Sequence, residues 1–224
     1  KTGVQNTRSR NVLISALIRD RHFNDAIESF KRMTDEGLCP DVVTFTCVLK
    51  ACGSIGDVNK AVELHSKMDS KGLIEGNLAG NALVDVYGQC GLLSKAHKVF
   101  DELPLRDVVA WNALIAGYIQ HDHTDKALQC FEHMQFEGIS PDVVTFLSVL
   151  KACSNIGAVT KGEEIHKQID RNWLLQKDPF IGSTLIDMYA KSGFLVKAQE
   201  VFGKIYIKDQ VSWNALITGC VEQG

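Results

Sequence analysis

Nothing in the 224 residues approaches the roughly 18 uninterrupted apolar residues of a membrane-spanning helix, and no signal-peptide pattern opens the chain. Because the chain begins at Lys1 and stops at Gly224 in mid-pattern, it reads as a piece of a longer protein, so a missing targeting segment excludes no destination. Close, regular cysteine pairs are missing as well. Seven cysteines, an odd number, exclude a secreted disulfide framework and point to reduced thiols used mostly as small core residues. Structural zinc wants short paired spacings such as C-x2-C. Neither Cys47 and Cys52 with His65, nor His121 with His123, offers one, so no metal site and no cofactor is expected. No phosphate-cradling glycine loop and no nucleophile motif is present, and the chain is not expected to be an enzyme. An excess of positive charge is lacking too: the formal net charge is −3, which argues mildly against a ligand held by phosphate neutralisation.

What is present is apolar material and repetition. With 45% hydrophobic residues the chain has enough to fold around a substantial interior. Pro40-Asp41-Val42-Val43-Thr44-Phe45 recurs 101 residues later as Pro141-Asp142-Val143-Val144-Thr145-Phe146. Val48-Leu49-Lys50-Ala51-Cys52 returns as Val149-Leu150-Lys151-Ala152-Cys153, and Trp111-Asn112-Ala113-Leu114-Ile115 as Trp213-Asn214-Ala215-Leu216-Ile217. Laying Asn11-Val12-Leu13-Ile14, Asn81-Ala82-Leu83-Val84, Asn112-Ala113-Leu114-Ile115 and Ser183-Thr184-Leu185-Ile186 over one another exposes a shorter period. After a flank at 1–6, the repeats run 7–41, 42–76, 77–107, 108–142, 143–178 and 179–209, followed by a truncated seventh at 210–224. Lengths of 35, 35, 31, 35, 36 and 31 suit two helices of about 12 residues and two turns.

Within a repeat, Trp111, Leu114, Ile115 and Tyr118 fall at helical spacing on one stripe, and Ala127, Leu128, Phe131 and Met134 form a second after a polar break at 121–125. Equivalent turns are expected at 53–57, 88–94, 154–160 and 192–193. Thr160 with Glu163 has capping-box spacing. Gly72, Gly138 and Gly203 stand near the ends of second helices, Gly72 and Gly138 as left-handed caps, with Pro40 and Pro141 barring continuation. Trp111 and Trp213 lie on the apolar stripe and are assigned to the core. One hairpin cannot bury both stripes alone, so stacking is required, and the expected fold is all-α, a single-domain right-handed α-solenoid of helix-turn-helix repeats with first helices lining a concave face.

These lengths and motifs resemble the pentatricopeptide repeat family of plant organelle RNA-binding proteins. The alternation resembles its PLS subclass: P-like repeats at 7–41 and 108–142, L-like repeats carrying Lys50-Ala51-Cys52 and Lys151-Ala152-Cys153, and S-like repeats carrying Asp85-Val86-Tyr87-Gly88-Gln89-Cys90-Gly91 and Asp187-Met188-Tyr189-Ala190-Lys191-Ser192-Gly193. The resemblance implies that each repeat meets one base of single-stranded RNA, selected by the fifth and last residues, with the second residue wedging beside it. Carried over, the selecting pairs are Asn11 with Asp41, Asn81 with Asp107, Asn112 with Asp142 and Ser183 with Asp209; Asn214 has lost its partner to truncation. Thr46 with Gly76 and Leu147 with Asp178 are weak selectors, since Leu147 cannot hydrogen-bond a base. The wedges are Val43, Leu78, Val109, Val144, Phe180 and Val211, and Arg8 departs from the apolar pattern. The implied target is 5′-U-N-U-U-N-G-Y-3′, on a chloroplast or mitochondrial transcript positioned for processing, foremost cytidine editing. The H-x-E and C-x-x-C elements of the deaminase chemistry found at the end of some relatives are absent.

The local alternative for the aspartates is capping with no ligand. For asparagine at one interior helix position in four repeats, propensity gives no such reason. Valine at the second position is also compatible with ordinary helix-start packing. A protein-binding scaffold like the tetratricopeptide repeats is the rival reading, though their signature W-x2-L-G-x2-Y is in no repeat. An RNA binder whose L-like repeats engage small editing-factor proteins is the other.

Overall fold

The computed structural model describes residues 2–74 and 76–223, with side chains described at 7–74 and 76–221. These residues form fourteen helices: α1 Thr2–Arg19, α2 Phe23–Asp35, α3 Val42–Ile55, α4 Val58–Ser70, α5 Asn77–Gln89, α6 Leu93–Asp101, α7 Val108–Gln120, α8 Thr124–Phe136, α9 Val143–Ile156, α10 Val159–Arg171, the single turn α11 Leu174–Lys177, α12 Pro179–Lys191, α13 Leu195–Lys204 and α14 Gln210–Gln223. Contacts divide them into two compact bodies, Lys1–His121 and Asp122–Gly224. The division falls in the hairpin turn of the fourth repeat, and in repeat proteins each element touches only near neighbours. Within each body the fold is an all-α solenoid of stacked helical hairpins. First helices stack on one another, α1 to α3 to α5 to α7 in one body and α9 to α12 to α14 in the other. Each of α2, α4, α6, α10 and α13 packs between the first helix of its own repeat and the next.

The hairpins form where the chain is punctuated. Asp41 and Asp142 are extended N-caps whose carboxylates accept the N–H of Thr44 and Thr145 at 2.8 Å, while the threonine hydroxyls accept the aspartate N–H at 3.2 Å. These are the capping boxes of the molecule. Gly56 and Gly157 close the same helices in the left-handed region, at φ 70° and 65°. Thr160 is instead the second residue of α10, whose N-cap is Ala158 with no side-chain bond, so the expected Thr160–Glu163 box does not form. The cause is that α9 runs on through Ser154 to Ile156, leaving a turn of only Gly157 and Ala158. Likewise Gly53 and Gly88 are helical, and the turns are shorter than expected. Helix α1 already begins at Thr2, inside the flank. Gly203 lies within α13, whereas Gly72 and Gly138 take positive φ.

Packing repeats with the sequence. An aromatic side chain of a second helix meets one on the next first helix edge-on: Phe30 with Phe45, Phe100 with Trp111, Phe131 with Phe146 and Phe202 with Trp213, with ring centroids 4.5–6.3 Å apart. Three junctions add a histidine–tyrosine hydrogen bond, from His65 to Tyr87, His97 to Tyr118 and His166 to Tyr189, at 2.8–3.0 Å. Trp111 is core, but Trp213 is 48% exposed. Among the described residues α14 is packed only by α12 and α13, so one side of its stripe stays open. Of the seven free cysteines only Cys52, Cys130 and Cys153 are buried. Cys39 follows the end of α2 and Cys220 sits on the one-sided α14, which accounts for their exposure.

Helices α5 and α7 approach so closely at Gly88 and Gly117 that a Cβ on Gly117 would stand 2.8 Å from the Gly88 Cα. Backbone cannot yield there as a flexible side chain would, so overpacking outweighs the helix-propensity gain of about 1 kcal/mol. Gly117→Ala is expected to destabilise the fold by about 1–3 kcal/mol in denaturant unfolding; a neutral substitution would show that the two helices separate freely.

Burial pushes the imidazoles of His65 and His166 below the ordinary 6.5. Asp69 and Glu102 oppose this at His65, where Lys95 and Lys98 add to it; Asp170, Glu163 and Glu200 oppose it at His166, where Lys204 adds to it. A folded value below the unfolded one means that these neutral rings contribute fully above pH 6.5 and that stability is lost as pH falls below it. Tm is therefore expected to drop between about pH 7.5 and about pH 5.5, and less so in His65→Gln/His166→Gln.

Candidate nucleic-acid interface

Helix starts place the six wedge positions alike. Val43, Leu78, Val109, Val144, Phe180 and Val211 are each the second residue of a first helix, and each is between 46% and 59% exposed. A second-position residue precedes the buried stripe by a fraction of a turn, so it stands off the core. Three residues on, and hence on the same face, come Thr46, Leu78's partner Asn81, Asn112, Leu147, Ser183 and Asn214. In the body Asp122–Gly224 these residues line a groove of about 660 Å³ between α9, α12 and α14: Leu147, Phe180, Ser183, Val211 and Asn214 all border it. Arg8, at the equivalent place on α1, is exposed.

The aspartates do two jobs. Asp41, Asp107, Asp142, Asp178 and Asp209 all accept a backbone N–H at the start of the following first helix. Asp41 and Asp107 also hold the amide nitrogens of Asn11 and Asn81, at 3.0 and 3.2 Å in each pair. Burial pushes the Asp41 carboxyl up, but hydrogen bonds from the Thr44 backbone, the Thr44 hydroxyl and Asn11 outweigh it and hold the group below the ordinary carboxylate range. Asp107 further accepts from Asn77 at 3.3 Å. Asn112 sits half-buried on α7 and Asp142 caps α9, so the members of that pair belong to the two different bodies.

The remaining pairs differ. Ser183 is 3% exposed, and its hydroxyl donates back to the carbonyls of Pro179 and Phe180 at 3.2 Å. It makes no hydrogen bond with Asp209, because a serine hydroxyl is too short to leave its own helix when buried. Thr46 likewise bonds the Val43 carbonyl, at 3.0 Å. Gly76 is the N-cap of α5 and supplies no side chain. Asn214 is exposed. The residues weighed for metal are engaged elsewhere: Cys52 is buried with its thiol pushed up to about 12 by burial, Cys47 lies beside the Ser15 hydroxyl at 3.3 Å, His65 is bonded to Tyr87, and His121 is 2.9 Å from the Gly88 carbonyl.

Cations complete this face. Lys50 and Lys151 lie four residues beyond Thr46 and Leu147, one turn along, and both are exposed; Lys151, Asn155 and Lys191 border the 660 Å³ groove. Sequence reasoning passed over them although both lysines sit in the recurring Lys-Ala-Cys motif. Their position relative to the fifth residue was the available signal. Next to Lys50, burial pushes the Asp85 carboxyl up, and hydrogen bonding from Gln89 and the Lys50 charge oppose it.

Stacked hairpins whose first helices carry a half-exposed apolar residue at the second position, in all but the first repeat, define a helical-repeat scaffold. Models of the pentatricopeptide repeat family match residues 5–54 and 106–155, and models of the single PPR repeat match 43–73, 81–108 and 183–206. The chain belongs to the pentatricopeptide repeat family. It is 34% identical over its whole length to pentatricopeptide repeat-containing protein At5g55740, chloroplastic, of Arabidopsis thaliana, covering 27% of that protein. It is 36% identical over 98% of its length to At4g18520, chloroplastic, of the same plant, covering 36%. The chain thus spans about a third of the curated relatives it matches. Among solved structures it resembles the repeat protein PPR10 in complex with an 18-nt psaJ RNA element, with TM-score 0.78 and 25% identity over 97% of this chain and 33% of that one. Nuclear proteinaceous RNase P 2 of A. thaliana shares the fold alone, with TM-score 0.53 and 15% identity over 73% of this chain and 38% of that one. No helix among the described residues is long and apolar enough to cross a membrane.

If the aspartates hold both a helix start and an amide, Asp107→Ala is expected to cost about 1–2 kcal/mol of stability, the size of a lost N-cap. Asp107→Asn, which keeps an accepting oxygen, should cost less. Equal unfolding curves for wild type and Asp107→Ala would remove Asp107 from both roles.

Proposed function

We propose that this chain binds single-stranded RNA along the face made by its first helices, one base to a repeat, and positions an organellar transcript for processing. The observation that carries the reading is the recurrence of a half-exposed apolar side chain one turn before a polar or groove-lining one at the start of six first helices. An unstacked base fits such a surface: its face packs on the apolar side chain while its edge meets an amide. The complex of PPR10 with RNA, the solved likeness named above, supports the same ligand. Lys50, Lys151 and Lys191 would meet phosphates locally, which reconciles RNA binding with a net charge of −3. Asn11, Asn81 and Asn112 with their aspartates would select uridine, Ser183 with Asp209 guanosine, and Asn214 a pyrimidine, giving 5′-U-N-U-U-N-G-Y-3′.

The L-like repeats read least. Thr46 is bonded to its own helix, and Leu147 offers the groove only carbon. These repeats would then serve as spacers with phosphate contacts, or as the place where a small editing-factor protein engages the scaffold. Cytidine editing in a chloroplast or mitochondrion is the process we favour, with the chemistry supplied outside these repeats.

Fluorescence anisotropy at fixed salt, with labelled RNA containing 5′-UAUUAGU-3′, is expected to show tighter binding than to a scrambled strand or the duplex. Equal affinity for all three would overturn sequence reading. Asn112→Ser is expected to shift the fourth base from uridine towards guanosine, with a change of about three- to tenfold in the ratio of the two affinities; an unchanged ratio would take Asn112 out of the reading set.

A further inference from the structure

Two asparagine–aspartate pairs in the same body carry identical residues, yet their amides are not in the same state. In both, the nitrogen faces the carboxylate at 3.0 and 3.2 Å. A carboxylate only accepts, so the amide orientation follows: NH2 towards aspartate, carbonyl away. The Asn11 carbonyl oxygen stands 2.6 Å from the Thr44 hydroxyl oxygen. Two oxygens at that distance need the hydroxyl proton between them; the Asp41 carboxylate oxygen also lies 2.8 Å from this hydroxyl, so Thr44 shares its single proton between the two acceptors, with the shorter contact to Asn11. The Asn81 carbonyl oxygen is buried and has no partner among the described residues.

One residue makes the difference. Thr44 is the third residue of α3, directly behind the cap Asp41; the third residue of α7, behind the cap Asp107, is Ala110. Both are fully buried, and both backbone N–H groups bond the cap carboxylate, at 2.8 and 2.9 Å. Methyl therefore stands where hydroxyl does in the other pair. An acceptor left unpaired in a buried setting gains the most from a ligand that brings a donor, and an acceptor already satisfied gains little.

We propose that the third residue of the following repeat is a positioning residue that sets how much of an asparagine remains for a base. Threonine closes the carbonyl of Asn11, whereas alanine leaves that of Asn81 unpaired for a base whose ring nitrogen carries a proton on the Watson–Crick edge, as N3–H of uracil does and the unprotonated N1 of adenine does not. The repeat at 77–107 then discriminates its base more sharply than the repeat at 7–41, although both carry asparagine and aspartate. Leu78, one turn before Asn81, is more than half exposed and offers its apolar side chain to the face of such a base. This inference rests on the RNA reading above.

The test uses the whole chain and two RNA series, each with uridine replaced by adenosine opposite one of the two repeats. The wild type is expected to lose about tenfold in affinity for the change opposite 77–107, the worth of one buried hydrogen bond, and about two- to threefold opposite 7–41. Thr44→Ala should raise the second loss towards the first, and Thr44→Ser, which keeps the hydroxyl, should leave it small. Ala110→Ser should shrink the loss opposite 77–107 towards the threefold level. A variant that merely weakens the fold would lower affinity for matched and mismatched RNA together and leave each ratio unchanged. Equal losses in the wild type, or ratios unmoved by Thr44→Ala and Ala110→Ser while RNA binds, would overturn the inference alone. Absence of any preference for the designed strand in the wild type would overturn the RNA reading, and this inference with it.

Discussion

A helix of about 13 residues paired with one other cannot cover its apolar stripe, and everything else in this protein follows from how that deficit is met. Helices α3, α5, α9 and α12 are each covered by the second helix of the repeat before and by that of their own, and the edge-on contacts Phe30–Phe45 and Phe100–Trp111 hold repeats together rather than single hairpins. Stacking by nearest neighbours also decides which side chains remain outside. The stripe turned to the second helices is consumed, and the face carrying residues such as Leu78, Phe180 and Val211 is what the first helices have left. Trp213 illustrates the rule: it has the residue type and spacing of Trp111, but its helix is packed on one side only and half its surface is open.

Five of the six repeat boundaries carry an aspartate that caps the following first helix. As N-cap it fixes where the next first helix begins, and with it the placement of the exposed second residue. In two repeats it also holds the asparagine of the preceding repeat, Asn11 by Asp41 and Asn81 by Asp107. Asp41 and Asp107 do both, so capping a helix and holding an amide are not alternatives for these residues. The same carboxylate that satisfies helix donors determines which end of the amide is free. In the proposed RNA reading, base choice by one repeat would therefore depend on the first turn of the following one.

The fold class was legible because the relevant information is local and repeated. Periodic stripes such as Trp111, Leu114, Ile115 and Tyr118 need no long-range knowledge, and they are buried as expected. Element ends were read less well. Thr160 and Glu163 have the spacing of a cap, but α9 extends three residues further than its polar ending indicates, and the cap position passes to Ala158. The cysteines misled in the same way, since Cys39 and Cys220 have core-like residue type and lie where nothing covers them.

By itself the sequence determined the period, the helical hairpin, the residues at each second, fifth and last position, and the family to which the chain belongs, because these are properties of spacing. Only tertiary structure decided which of those positions act alike. Asn11 and Asn81 are the same residue at the same point of the pattern, yet the first meets a hydroxyl from the next repeat and the second a methyl group. Ser183 stands at that point too and turns its hydroxyl onto its own helix. The physical reason is that a hydrogen bond depends on what stands within about 3 Å in space, and across a repeat boundary that partner lies some thirty residues away in the chain.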